Sequence, residues 1–240
     1  MSSGRSARSL AIEALVIVGS ILLAFAIDAW WDEREQTERR EAVLGSLRSD
    51  IALARADMDR VLPLSVRSLN GLAELQRLSD EGPIPEALWP KADTLLAYGF
   101  GAGSFDPPMG TIDALISSGE LQLLQDPELT AELTALPGRL VDLNREAVGA
   151  RDIALAMLAA MQEDGIGFDL GFVLEMSAGR SRGADSASPW NARPPRAGRL
   201  FHTDEYRSRV SAAWMLSNNY VGLLNEIDEA LTNIEERIRE

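Results

Sequence analysis

The segment from Leu10 to Trp31 constrains this chain more than any other. No residue between Ala14 and Ile27 is charged, and Glu13 and Asp28 flank that run. As a helix, Leu10 to Trp31 would be about 33 Å long, which matches a hydrocarbon core of about 30 Å. The carboxylates of Glu13 and Asp28 then fall near opposite edges, where reaching water costs less than at the centre. Trp30 and Trp31 lie where an aromatic belt belongs and act as interface anchors. The expected organisation is a short tail over 1–9, a transmembrane helix over 10–31 and an extramembrane domain over 32–240. A cleaved signal peptide is the main competing reading. Arg5 and Arg8 supply a basic region, and Ala24-Phe25-Ala26 imitates a cleavage site. Against it, the sequence runs straight on into helical periodicity. A buried helix of a soluble domain is disfavoured because the run is apolar on all faces.

The tail carries Arg5 and Arg8 and no acid, whereas Arg34, Arg39 and Arg40 lie among many acids beyond the segment. The positive-inside rule then favours a cytoplasmic amino end and a large periplasmic domain at a bacterial inner membrane. Glu13, Ile17, Ser20, Ala24 and Asp28 share one face at spacings of 4, 3, 4 and 4. Ser20 and Ala24 are a small-xxx-small pair, which lets a second helix approach closely. This face is the expected contact surface, either for self-association or for another membrane subunit.

Beyond Trp31 the pattern is helical, with no clear alternation of period two. Leu44, Leu47, Ile51, Ala54, Met58 and Val61 step by 3 and 4 until Pro63, which should kink or end the helix. A second stretch, about Leu64 to Ser79, carries Leu69, Leu72, Leu75 and Leu78. Glu81-Gly82-Pro83-Ile84-Pro85 breaks the chain before a short helix over Glu86 to Ala97. Residues about 98–110 are rich in Gly and Pro and read as a loop, without the lysine or spacing of a phosphate cradle. Thr111 to Ser118 reads as a helix stopped by Gly119. Asp126-Pro127 starts another, with Asp as N-cap and Pro at the first helical position. Its stripe is Leu129, Leu133, Leu136, Leu140, Leu143, Ala147, Ala150, Ala154, Met157 and Met161, with a kink or one-turn break expected at Pro137-Gly138.

A second irregular loop is expected about 179–199. Arg180, Arg182, Arg193, Arg196 and Arg199 there outweigh Asp185, and Trp190 sits among them. Such a loop suits lipid headgroups or an acidic partner, although a solvated linker has the same composition. The last helix has the clearest signal. Tyr206, Val210, Ala213, Ser217, Tyr220, Leu224, Ile227, Leu231, Ile234 and Ile238 alternate 4 and 3 without a slip. The expected fold class is all-α: one amino-terminal transmembrane helix, then an elongated antiparallel helical bundle with long irregular loops.

Charge and missing chemistry narrow the function. A formal charge of −14 repels nucleic acid. Cysteine is absent, so there is no disulfide framework, thiolate zinc site or cysteine nucleophile. The single histidine, His202, has no partnered nucleophile in view. No metal-binding spacing is present, and Asp164 and Asp169 read as a helix-connecting turn. Asp106 and Asp113 form no paired-acid motif. No catalytic residue, cofactor or metal ligand is therefore expected.

Two stretches resemble a known family. Leu22-Leu23-Ala24-Phe25-Ala26-Ile27-Asp28-Ala29-Trp30-Trp31-Asp32-Glu33-Arg34 resembles the membrane exit of an uncharacterised family of bacterial single-pass proteins, a domain of unknown function. Thr111 to Leu121, with its Ser-Gly helix end, and Asp126 resemble that family's second signature. The family usually has asparagines at the exit, where this chain has Asp28 and Ala29. The resemblance implies an anchored helical architecture and establishes no activity. Together these observations lead to a non-catalytic accessory or scaffold subunit. Its expected partners are the bilayer and other membrane subunits or itself. The alternative is a tethered sensor that holds a small ligand between helices, lined by Tyr98, Phe100, Phe105, Trp190 and Trp214.

Overall fold

Three stretches of the sequence hold an apolar stripe at helical spacing long enough to form a seam, and those three become the long helices. The computed structural model describes residues 7–100, 103–163, 198 and 200–239, with no strand among them. Helix α1 is Ala7–Asp80. A 3-10 turn, Glu86–Leu88, leads into α2, Trp89–Gly99. Helix α3 is Gly110–Ser118, followed by a second 3-10 turn, Glu120–Leu124. Helix α4 is Pro127–Glu163 and α5 is Asp204–Arg239.

The fold is all-α, and α1 is its largest element. Its 74 residues span about 110 Å. No element boundary occurs at Trp31: the apolar segment passes without a break into the part of the helix that packs in the bundle. Of the two outcomes expected at Pro63, a kink or an end, the end does not occur. The ring lies on the exposed side, so the carbonyl of Asp59 that loses its donor can turn to water. The buried stripe steps through it by way of two serines: Met58, Val61, Ser65, Ser68, Leu72 and Leu75 are all buried at alternating 3 and 4 spacing. Of the leucines expected to pack beyond Pro63, Leu72, Leu75 and Leu78 are buried and Leu69 is half-buried. The break expected at Pro137-Gly138 is also absent. Leu133 and Leu136 before it and Leu143 after it are all buried on one seam, and that packing holds α4 together across the proline.

All ten seam positions anticipated for the last helix are buried, with Val221 and Ala230 in addition. Helix α5 runs antiparallel to α1. Arg48 Nη2 donates to the carbonyl of Ile238 at 2.7 Å, Arg55 pairs with Asp228, and Arg207 pairs with Asp80 at 2.7 Å. It is antiparallel to α4 as well, since Arg237 pairs with Asp126 and Arg209 donates to the carbonyl of Ala156 at 2.8 Å. The remaining side of the bundle is filled by α2, the extended stretch 103–109, α3 and its 3-10 turn. These run from the Asp80 end of α1 back toward residue 50, where the N–H of Thr111 donates to Asp50. The result is an up-down-up-down bundle whose second member is a broken helix.

Local signals set the ends. Asp126 Oδ1 accepts from the N–H groups of Glu128 and Leu129 at 2.9 and 3.0 Å, the N-cap its position promised. Gly119 closes α3 at φ 74°, a conformation few other residues accept. The loop expected about 98–110 is shorter than anticipated, since α2 reaches Gly99 and α3 begins at Gly110.

Candidate functional surfaces

The apolar segment of α1 is defined by what it lacks. Leu15, Val16, Ile17, Val18, Ile21, Leu22, Leu23, Phe25 and Ile27 are all exposed, Leu15 at 75% and Phe25 at 66%. No part of the bundle covers them. Burying that much apolar surface is what a bilayer provides, and monomeric soluble proteins rarely expose so large a continuous patch. Residues of the expected contact face, Glu13, Ile17, Ser20, Ala24 and Asp28, are likewise exposed. The Ser20 hydroxyl donates to the carbonyl of Ile17 at 2.8 Å, so its polarity is satisfied within the helix. The surface left at Ser20 and Ala24 is short-chained and flat.

At the other edge the indoles of Trp30 and Trp31 meet edge-to-face with centroids 5.3 Å apart, and the guanidinium of Arg34 lies 5.9 Å from the Trp30 ring centroid. This arrangement suits a headgroup layer, where one side is apolar and the other wet. From there to residue 39 the helix is exposed on every side. It is tied by Glu35–Arg39 and Arg34–Glu38 pairs one turn apart, at 2.7 and 3.1 Å, and by Thr37 donating to the carbonyl of Glu33. Leu47, the first fully buried residue of the bundle, stands about 24 Å beyond Trp31 along the helix.

A second surface lies where the broken member of the bundle is extended. Ser104, Phe105, Asp106, Pro107 and Met109 face Leu140, Val141, Leu143, Asn144 and Ala147 of α4 across a cleft of about 450 Å³, with Tyr220 of α5 beside them. The extended stretch is pinned from behind. Tyr220 donates its hydroxyl to the carbonyl of Gly103 at 2.9 Å, Arg60 reaches the carbonyl of Ser104, and the N–H of Asp106 donates to Asp57. Burial pushes the Tyr220 hydroxyl above its ordinary pKa.

Sequence reasoning named five aromatics as pocket-lining, and the structure disperses the four that it describes. Phe105 alone lines this cleft. Tyr98 lies under the guanidinium of Arg67, 5.7 Å from the ring centroid. Phe100 packs on the far core, and Trp214 borders a separate open groove with Asp80, Arg207 and Met215. Trp190 lies outside the described residues, as do Arg180, Arg182, Arg193, Arg196 and Arg199 of the basic loop, and Asp164 and Asp169. The residues that form the cleft and were missed, Met109, Val141, Asn144 and Tyr220, had no distinguishing signal beyond Tyr220's place on the last seam. His202 and Asp106 are exposed, and no group of three or more metal-ligating side chains occurs among the described residues.

Two carboxylates have shifted acidity, each at a structural contact. Hydrogen bonds from Arg77 and then Lys91 hold Glu74 at about 2. The N–H of Leu129, seconded by Arg237, holds Asp126 below its ordinary value. Neither sits in a cleft with a nucleophile. The fold and these surfaces define a helical protein with one amino-terminal helix long and apolar enough to cross a membrane. No family model, no curated protein and no solved structure matches the chain.

Proposed function

We propose that this chain is a non-catalytic, membrane-anchored accessory or scaffold subunit. It acts by helix–helix and domain contacts in a larger membrane complex or a homo-oligomer. The observation that carries the reading is the continuity of α1: one helix contributes an uncovered apolar segment, a polar stalk and a wall of the bundle. Such a helix holds a folded body at a fixed distance from the bilayer, which serves contacts made in a defined plane. The anchor's short-chained face at Ser20 and Ala24 supplies the contact within the membrane. Arg5 and Arg8, in a tail without an acid, favour a cytoplasmic amino end and a bundle in the bacterial periplasm.

Purification from native membranes in mild detergent should recover the chain in an assembly larger than a monomer. Replacing Ser20 and Ala24 with Leu should shrink that assembly, and a lone monomer before substitution would end the proposal. Sidedness is tested by single cysteines in this cysteine-free chain. An impermeant maleimide applied to intact spheroplasts should label Ser46→Cys and spare Ser2→Cys.

A second reading, a tethered small-ligand module, is favoured by the cleft between the 103–109 stretch and α4. A thermal-shift screen of the solubilised full-length chain separates the two. Stabilisation by a small molecule that Ala147→Trp abolishes supports the ligand module.

A further inference from the structure

We infer that the bundle is articulated at a waist of small residues, so that its membrane-distal half opens while the membrane-proximal half stays folded. The buried apolar side chains form two clusters. The proximal one includes Leu47, Ile51, Met58, Leu133, Leu224 and Ile234. The distal one includes Leu72, Leu96, Met157, Phe201, Tyr206 and Val210. Between them every long helix turns small side chains inward. Helix α1 contributes Ser65 and Ser68, each 1% exposed, and α5 contributes Ser217. The antiparallel pairings of Arg55 with Asp228 and of Asp80 with Arg207 set Ser217 opposite Ser68. Leu216 packs on Gly149, which sets Ser217 beside Ala147 and Ala150 of α4.

Three independent features coincide at this level. Pro63 deprives α1 of one hydrogen bond just below the serines. The second member of the bundle ends its helix here, at Gly99, whose carbonyl accepts from Ser68. The hydroxyls of Ser65 and Ser68 add no tie between the long helices, since Ser65 donates to the carbonyl of Val61 in its own helix and Ser68 to that of Gly99 at the end of α2. Small side chains bury little apolar area and lose little when separated, so coupling across this layer is weak.

Each half is knit within itself. In the distal half α2 closes on α1 so tightly that a Cβ at Gly71 would lie 3.1 Å from both the Leu95 carbonyl and the Tyr98 Cβ. Asp80–Arg207 and Arg209 with the Ala156 carbonyl hold the same half. Arg48 with the Ile238 carbonyl, Arg55–Asp228 and Arg237–Asp126 hold the other. Opening the distal half bares Leu72, Met157 and Phe201 far from the bilayer while the tether remains set.

Hydrogen exchange followed by mass spectrometry, on the full-length chain in lipid nanodiscs, tests this. Amides of residues 72–80, 89–99, 153–161 and 204–213 should exchange through an opening at least about tenfold more frequent than that of 47–61, 129–143 and 224–238. Leu72→Ala should accelerate the distal set by about tenfold or more and leave the proximal set within about twofold. Met157→Ala, from another helix of the same cluster, should give the same pattern. Equal rates in the two halves, or a common acceleration of both sets by either variant, overturns the articulation.

Discussion

Residues 15–31 of α1 and the whole of α5 are both uninterrupted helix, yet their side chains meet opposite surroundings. Helix α5 buries twelve residues along one stripe and turns its charges outward. The anchor buries none of its residues and has no charged residue from Leu15 to Ile27. Backbone geometry does not distinguish them; the angular distribution of apolar side chains does. A stripe leaves the other faces free for water and needs a partner helix. A helix apolar all round has no face for water and needs a different solvent. Residues 32–42, polar all round, are the third case, and they hold the other two apart.

The largest test of this contrast is truncation. Leu231→Ala in the seam should lower bundle stability by about 2–5 kcal/mol, because Leu231 is fully buried. Leu23→Ala, in the anchor, should change it by less than about 0.5 kcal/mol. Denaturant titration of the solubilised protein, followed by circular dichroism, measures both. Equal losses would mean that the anchor packs on the bundle after all.

The converse substitution comes next. Ile21→Asp, near the middle of the apolar segment, should disfavour insertion by about 2.5–3.5 kcal/mol. It should release the protein from membranes on alkaline carbonate extraction while leaving the far-ultraviolet dichroism of the bundle intact. Release of the unsubstituted chain under the same wash would remove the anchor.

A smaller effect sharpens the bundle side. Asp126→Ala strips the N-cap of α4 and the Arg237 contact, and should cost about 1 kcal/mol. The first turn of α4 should then exchange its amide hydrogens faster. The folded state lowers the pKa of Asp126, so its contribution is complete above the ordinary carboxylate range and is lost as pH falls through the lowered folded pKa.

Glu74 gives the smallest effect. Its folded value of about 2 lies below the ordinary 4.5, so its contribution is present above about 4.5 and disappears as pH drops toward 2. Solvent screens this exposed cluster. Glu74→Gln should therefore shift the midpoint slightly at pH 7 and not at all near pH 2, measured by parallel thermal melts.

What could be read along the chain was what the chain decides locally. The seam of α5, the Asp126 cap, the Gly119 stop and the apolar segment all follow from side-chain spacing, or from one residue's reach to its own backbone. Pro63 and Pro137 misled for the same reason. Locally each breaks a helix, and only burial of Val61, Ser65 and Ser68 on one seam and of Leu133, Leu136 and Leu143 on the other keeps those helices whole. Ser65 and Ser68 were missed as seam positions because the register was expected to stop at Pro63, whereas Ser217 was carried by the unbroken apolar positions on either side of it. The pocket aromatics were misgrouped because closeness in type says nothing about closeness in space.

The sequence by itself determined that this chain is helical, that one segment is long and apolar enough to cross a membrane, and where several helices begin and end. Those properties depend on interactions within a turn or two. Tertiary structure alone decided that α1 is one continuous rod and that a broken strand of short helices completes the bundle. It also decided that the core divides at a layer of serines and alanines. Each of these is set by contacts between residues dozens to more than a hundred positions apart, whose free energy exceeds local preference only once the helices have packed.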